Sequence, residues 1–207
     1  MEALGGYPTK SSSPKARMFT VLLSMTVGVG CLFLLLAKPR RPRDFYSFEV
    51  KDARGRTVSL EKFRGRASLV VNVASRSENT EVNYRSLQEL HRELGTSHFN
   101  VLAFPCGQFG DTEPGSSRDV EAFAKAEYGT TFPFFGKIKI MGSEAEPAFR
   151  FLTDSIQKIP KWNFWKFLVN PEGKVTRFWR ADEPMESVRQ EVTALVRQII
   201  LKKRVEL

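Results

Sequence analysis

The sequence predicts an α/β domain with a mixed central sheet flanked by helices, preceded by one N-terminal transmembrane helix. Residues 67–74 form a nearly continuous apolar run of β-branched residues, which is typical of a central strand covered on both faces. Residues 98–105 give a second central strand that stops at a proline. Helical patterns alternate with these strands and a later strand pair closes the sheet, which indicates an α/β domain.

The N-terminal anchor is predicted from an apolar segment at 18–37, which has 20 residues, no charge and no proline. At about 1.5 Å per residue, a helix of this length spans roughly 30 Å, the thickness of the hydrocarbon core of a bilayer. The alternative is a cleaved secretory signal, whose apolar core is usually about 7–15 residues long. Because the segment is longer and ends at a basic Pro/Arg linker, 38–43, we expect an uncleaved membrane anchor. Residues 1–17 are expected to be a disordered polar tail.

The basic charge of the chain is concentrated around this anchor. Residues 1–43 contain seven of the 32 basic residues and one of the 23 acidic residues, which leaves 25 basic and 22 acidic residues in 44–207. A nucleic-acid-binding domain would need its Lys and Arg clustered on the folded part, so no nucleic-acid partner is expected. Basic residues flank the anchor on both sides, and the positive-inside rule therefore favours neither orientation.

The folded domain is expected over 44–203, and its first element is a β-hairpin. Two strands at 45–50 and 57–60 flank the turn Asp-Ala-Arg-Gly at 52–55. A short helical or turn element at 60–65 then leads into the first central strand.

The helices are predicted from amphipathic spacing and from the residues at their ends. The first ends at Gly95, the second begins at Ser116 and ends at Gly129, and the third has Pro147 in its first turn. The four predicted helices lie at 80–94, 116–129, 146–156 and 183–203.

Three further segments complete the predicted domain. Residues 132–140 are expected to be a loop with a short strand. A second hairpin has strands at 162–170 and 174–180, joined by the turn Asn-Pro-Glu-Gly. Residues 204–207 are expected to be a short C-terminal tail.

The turn after the first central strand is the main candidate site, because a strand-to-helix turn projects a side chain at a helix N-terminus. It offers Ser75, Arg76 and Ser77 but no cysteine. A serine-hydrolase interpretation of Ser77 lacks the G-x-S-x-G context. The two histidines, His91 and His98, lack metal-ligand spacing, so surface or capping roles and no bound metal are expected.

Four motifs stand out by their length and unusual composition: VVNVAS at 70–75, LAFPCGQFG at 102–110, TEPG at 112–115 and KWNFWKFLVNPEGKV at 161–175. Together with the closing helix, they resemble the glutathione peroxidase family over residues 44–203. That resemblance implies a thioredoxin-like fold and thiol-dependent reduction of hydroperoxides. It implies glutathione or another thiol as co-substrate and no prosthetic cofactor.

The family's catalytic tetrad can be placed on this sequence by the same motifs. The selenolate or thiolate position falls on Ser77, and the tetrad glutamine falls on Thr112; both residues are substitutions. The tetrad tryptophan and asparagine fall on Trp162 and Asn163, which are retained. A further family cysteine is Cys106, a candidate redox thiol.

The resemblance therefore leaves two hypotheses for function. Serine is not appreciably ionised near neutral pH and has no counterpart to the sulfenic acid state, so peroxidase activity is expected to be weak or lost. The first hypothesis is a residual enzyme that uses Cys106. The second is a non-catalytic, thioredoxin-like binding or scaffold protein.

The anchored chain most resembles membrane-bound family members of the endoplasmic reticulum. This resemblance implies a single-pass protein whose C-terminal domain faces the lumen, with lumenal protein disulfide isomerases as partners. The connection between the third helix and Trp162 lacks the insertion of tetrameric relatives, which implies a monomer.

Overall fold

A four-stranded mixed sheet forms the centre of the structure, a computed structural model that describes residues 44–205. Its strand order is β4-β3-β5-β6, with β3 parallel to β4 and with β3–β5 and β5–β6 antiparallel. A separate antiparallel pair, β1–β2, forms the predicted hairpin. The strands are β1 Glu49–Lys51, β2 Thr57–Ser59, β3 Ala67–Val73, β4 Phe99–Pro105, β5 Lys166–Val169 and β6 Val175–Trp179.

Helices cover both faces of the sheet, as predicted. Alternate residues of β3 enter different cores, because successive side chains of a strand point to opposite faces. Leu69 and Val71 pack with the side of α1, α2 and α4, whereas Val70 packs with the side of α3. The helices are α1 Thr80–Leu94, α2 Ser117–Tyr128, α3 Pro147–Ile156 and α4 Met185–Val205.

The ends of α2 follow from its cap residues. The Ser116 hydroxyl accepts a hydrogen bond from the Asp119 amide at 3.3 Å, and the Asp119 carboxylate accepts one from the Ser116 amide at 3.0 Å. This reciprocal pair satisfies amide donors that the first turn of a helix leaves open. Gly129 ends the helix in the left-handed conformation, with φ of 63°.

The predicted strand at 45–50 was wrong in its first half. Phe45–Ser47 form a short 3₁₀ turn, and the strand begins only at Glu49. The turn forms because the Asp44 carboxylate accepts a 2.8 Å hydrogen bond from the Tyr46 amide. One local side-chain bond thus overrides the alternating pattern of the sequence.

The predicted strand at 162–170 was also too long, since β5 begins at Lys166. Phe164 has φ of 62°, in the left-handed region, which is incompatible with a continuous strand. The loop expected at 132–140 makes single bridges alongside β4, at Phe134 and Ile138.

Within residues 44–205, no helix combines the length and the apolar character needed to cross a membrane. The predicted tail at 1–17, anchor at 18–37 and linker at 38–43 lie outside the described residues.

Candidate active site

The candidate site begins at the turn between β3 and α1. Thr80 closes this turn: its hydroxyl accepts a 2.9 Å hydrogen bond from the Ser77 amide and donates a 3.0 Å bond to the Ala74 carbonyl. The Ser77 carbonyl in turn accepts a 3.0 Å bond from the Thr80 amide. These bonds fix Ser77 just before the first turn of α1.

The Ser77 side chain is nearly enclosed. Ser77 is 8% exposed, and its Oγ has no hydrogen-bond partner among residues 44–205. No histidine or carboxylate of the described chain accepts its proton, so the site provides no general base for the alcohol. A helix N-terminus stabilises an anion by about 0.3–2 kcal/mol, which is too little to ionise an alkanol near neutral pH.

Thr112 and Asn163 form the direct contact of the candidate site. The Asn163 Nδ2 donates a 2.9 Å hydrogen bond to the Thr112 Oγ1, and the Thr112 hydroxyl donates a 2.8 Å bond to the Phe109 carbonyl. The hydroxyl proton of Thr112 is therefore committed to Phe109 and is not directed at Ser77. The Arg76 amide donates to the Thr112 carbonyl at 2.9 Å, which ties this segment to the Ser77 turn.

Trp162 lies at the surface next to the completely buried Asn163. The Trp162 side chain is 39% exposed, and its ring centroid lies 6.2 Å from that of Phe109. Its backbone is held by a residue that the sequence analysis missed: Asn72, a fully buried amide within β3, donates a 3.1 Å bond to the Trp162 carbonyl. The signal for Asn72 was a polar residue inside an otherwise apolar strand.

The structure thus joins two of the four tetrad positions directly, Thr112 and Asn163. Ser77 is linked to them through the neighbouring backbone of Arg76, but its hydroxyl bonds to no other tetrad position. The position predicted for the peroxidatic residue carries an alcohol without a hydrogen-bond partner among residues 44–205.

Cys106 is completely buried at the end of β4. Its amide donates a 3.0 Å bond to the Val73 carbonyl, and its side chain packs in the core on the side of α3. Burial raises the pKa of the Cys106 thiol, and the bond from the Gln108 amide and the Lys137 ammonium offset this only in part. Because the thiolate is the reactive form, this environment disfavours redox chemistry at Cys106.

Lys137 occupies the space beside Gly107. A Cβ at Gly107 would lie 2.9 Å from the Lys137 Cε and 3.2 Å from the Glu113 carbonyl oxygen. The Lys137 ammonium donates hydrogen bonds to the carbonyls of Glu113 and Gly115. Lys137 therefore bridges the loop next to Cys106 and the segment that carries Thr112.

A buried carboxyl group adjoins the site and was also missed. Glu113 is 1% exposed, its Oε1 accepts a 2.6 Å bond from the Ser75 hydroxyl, and its Oε2 has no partner among the described residues. Burial raises the pKa of Glu113, while Ser75 and the cations Lys137 and Arg76 lower it in part. Ser75 lies in the motif VVNVAS and Glu113 in the motif TEPG, and these two residues line a cleft of about 250 Å³.

The expected surface or capping role was wrong for His91, which is 4% exposed and packs edge-on against Phe132. Burial lowers the pKa of His91, which favours the neutral ring. In the part of the chain that the structure describes, no group of three His, Cys, Asp or Glu side chains is placed to hold a metal ion.

Comparison with known proteins agrees with this fold. A family model described as Glutathione peroxidase matches residues 45–153. The curated protein "Probable glutathione peroxidase 8" of Tetraodon nigroviridis is 84% identical over 210 residues, and that of Homo sapiens is 59% identical over 209 residues. Both matches cover 100% of this chain and of the relative. The solved structure "Crystal structure of Trgpx in apo form" has a TM-score of 0.62 and 28% identity, covering 76% of this chain and 97% of that chain.

The α/β domain is therefore thioredoxin-like, and the protein is of the peroxidase type by resemblance. The chain belongs to the glutathione peroxidase family.

Proposed function

We propose that this chain is a glutathione-peroxidase-family oxidoreductase whose thiol-dependent reduction of hydroperoxides is weak or lost. The observation that supports this proposal is the Ser77 side chain, a nearly enclosed alcohol without a hydrogen-bond partner or base among the described residues. Hydrogen bonds link the segments that carry the other proposed tetrad positions: Asn163 bonds to Thr112, Asn72 bonds to the Trp162 carbonyl, and the amide of Arg76, next to Ser77, bonds to the Thr112 carbonyl.

The missing step is the first one of the family reaction. A thiolate attacks the terminal oxygen of a hydroperoxide, the O–O bond breaks, and the leaving alkoxide takes a proton to give the alcohol. The thiolate becomes a sulfenic acid, which one thiol converts to a mixed disulfide with loss of water, and a second thiol releases the enzyme thiol. Ser77 cannot enter this cycle, because its oxygen has no equivalent of the sulfenic acid.

A second candidate function is a non-catalytic, membrane-anchored thioredoxin-like binding or scaffold protein. The observation that favours it is Cys106, whose complete burial and raised pKa make it a poor replacement nucleophile. A residual enzyme would have to use this thiol, with glutathione or a lumenal protein disulfide isomerase as reductant.

The cellular setting belongs to the same proposal and is supported by the sequence. The uncharged segment at 18–37 and its family resemblance support a single-pass protein of the endoplasmic reticulum with a lumenal domain. Hydroperoxides and thiols are the proposed substrates, and the chain is proposed to be monomeric. Protease treatment of intact microsomes tests the placement: a lumenal domain is protected, whereas digestion without detergent would refute it.

Peroxide consumption by the isolated domain, 44–207, separates the two functions. The described residues, 44–205, lie within one compact unit. The native domain, Cys106→Ala and Ser77→Cys are compared with glutathione and with a protein disulfide isomerase as reductant. We expect Ser77→Cys to exceed the native domain by orders of magnitude. The exposed position Ser143 supplies a control, since Ser143→Cys adds a thiol away from the site.

Each outcome has a distinct meaning. A slow native rate that disappears in Cys106→Ala supports the residual enzyme, and no native rate at all supports the binding protein. Fast native turnover that survives Cys106→Ala would contradict the proposal. Equal rates for Ser77→Cys and Ser143→Cys would show that position 77 is not a peroxidatic centre.

A further inference from the structure

A lysine ammonium is buried against the backbone that follows Trp162 and Asn163. Lys166 is the first residue of β5, is 0% exposed, and pairs with Val71 of β3 and Trp179 of β6. A charged group is rarely fully buried without a partner, because its desolvation costs several kcal/mol. The position of Lys166 therefore needs a physical reason.

The Lys166 ammonium contacts the backbone of the loop that precedes β5 and carries Trp162 and Asn163. Its Nζ donates a 2.9 Å hydrogen bond to the Phe164 carbonyl, and this is the one protein hydrogen bond of the ammonium among residues 44–205. Phe164 is itself 0% exposed, so without Lys166 its carbonyl would be left buried and unpaired.

Phe164 has a backbone conformation that needs such support. Its φ of 62° is in the left-handed region, which a bulky side chain adopts only at a cost. Its amide donates a 2.6 Å bond to the Asn72 carbonyl, while the Asn72 side chain donates to the Trp162 carbonyl at 3.1 Å. Asn72 thus holds the loop through the Phe164 amide, and Lys166 holds it through the Phe164 carbonyl.

The consequence for the site is direct, since Trp162 and Asn163 immediately precede Phe164. We propose that Lys166 is a positioning residue, whose buried ammonium anchors the Phe164 carbonyl and so fixes the backbone that presents Trp162 and Asn163. The functional meaning of this role rests on the proposed peroxidase site, whereas the anchoring itself does not depend on turnover.

The electrostatic surroundings give the anchor a pH dependence. Burial lowers the pKa of Lys166 to about 8, and the carboxylates of Glu183 and Asp182, in the connection from β6 to α4, oppose that shift in part. Tyr84 of α1 is a further ionisable group packed against this region: its ring lies edge-on to Phe164 at 5.8 Å, and burial raises its pKa. Tyr84 therefore stays neutral while Lys166 titrates.

Hydrogen exchange of the full-length chain in detergent tests the proposal without requiring activity. The measured quantity is protection of the peptide that contains the Phe164 amide in the native chain, in Lys166→Met and in Lys174→Met. Lys174 is an exposed lysine in the turn of the same hairpin, so it controls for loss of charge. We expect Lys166→Met to exchange at least about tenfold faster at this peptide, with the β4 peptides still protected. Equal protection of the Phe164 peptide in Lys166→Met and Lys174→Met would overturn the proposal.

A second measurement decides the matter if Lys166→Met fails to fold. In the native chain, the protection factor of the Phe164 peptide, which is already corrected for the intrinsic exchange rate, is measured between pH 6.5 and 9.5. Because burial lowers the pKa of Lys166 to about 8, an opening that exposes the ammonium to water takes up a proton above this pH, and we therefore expect the protection factor to rise above about pH 8. A constant protection factor over this range would mean that the Phe164 backbone opens without exposing Lys166, which contradicts the anchor. Inactivity of Ser77→Cys would contradict the proposed function. Both exchange results could still be interpreted, because hydrogen exchange does not require turnover.

Discussion

The Asn163 side chain donates a 2.9 Å hydrogen bond to the Thr112 hydroxyl, although 51 positions separate the two residues in sequence. This contact connects two positions at which the family places hydrogen-bond donors. It also limits the hydrogen bonds available to position 77, because the Thr112 hydroxyl donates its proton to the Phe109 carbonyl. Neither the Thr112 hydroxyl nor the bonded N–H of Asn163 is then free for an anion at position 77.

Restoring glutamine at position 112 is expected to raise activity in the Ser77→Cys background. A glutamine amide has two N–H donors, so it can supply a bond that the committed Thr112 hydroxyl does not. A hydrogen bond to a charged group contributes about 1.5–3 kcal/mol, and we therefore expect Thr112→Gln to raise kcat/KM for peroxide about tenfold or more. Stopped-flow measurement of sulfenic acid formation checks this expectation.

The control for this change is Thr112→Val in the same background. Valine matches the shape of threonine but cannot bond to Asn163 or to Phe109, so no gain is expected. A comparable gain from valine and glutamine would show that the threonine bonds were restraining the site and that no donor was missing.

Replacing Gly173 with alanine is expected to destabilise the domain through one identified contact. An added Cβ would lie 2.5 Å from the Asp44 Oδ1, and Gly173 has φ of +83°. Asp44 cannot move freely, because it caps the 3₁₀ turn Phe45–Ser47 and binds the Arg64 guanidinium at 2.9 Å. We expect a loss of about 2–4 kcal/mol in the free energy of urea unfolding.

Gly55 provides a matched comparison for Gly173. It has a similar φ of +80°, yet an added Cβ would meet nothing within 4 Å. Gly55→Ala therefore measures the backbone strain alone, for which about 1 kcal/mol is expected. If both alanine variants lose the same stability, the contact with Asp44 contributes nothing.

Local sequence patterns were sufficient to predict the central strand and the helices of this fold. The apolar run at 67–74 gave the central strand, and Ser116 and Gly129 gave the ends of α2, because each signal acts over a few residues. The pattern failed at Phe164, whose left-handed backbone depends on bonds to Asn72 and Lys166. Those partners are brought together only by the folded sheet.

The candidate site also has features that local motifs indicate and features that depend on the folded chain. The motifs assign Ser77, Trp162 and Asn163 to one site by resemblance, but the direction of the Thr112 hydroxyl could not be predicted from them. Nor could the complete burial of Cys106, because it results from packing against distant parts of the chain. Composition and spacing identify which residue types are present; their chemical state depends on the neighbours that the fold supplies.

Cys106 is expected to react slowly with thiol reagents in the folded domain, 44–207. Its burial excludes the reagent, and its raised pKa reduces the thiolate fraction. We expect alkylation by iodoacetamide at pH 8 to be about a hundredfold slower than at a cysteine introduced at exposed Ser143 of the same molecule. Mass spectrometry of the two peptides gives both rates, and the two rates should converge in urea. Similar alkylation rates of the two cysteines in the folded domain would support the hypothesis of a residual enzyme that uses Cys106.

The buried carboxyl of Glu113 predicts a measurable pH dependence of stability. Burial raises its pKa above the ordinary value of 4.5, so the folded state retains this proton to a higher pH than the unfolded chain. Its contribution to stability is therefore largest below about pH 4.5 and falls as the pH rises towards the folded-state pKa. Glu113→Gln cannot ionise, and we expect the free energy of urea unfolding to fall less between pH 4 and pH 7 in this variant than in the native domain. Glu127→Gln, at an exposed position of α2, should keep the native slope. Identical slopes for Glu113→Gln and the native domain would mean that Glu113 titrates like an exposed carboxyl group despite its burial.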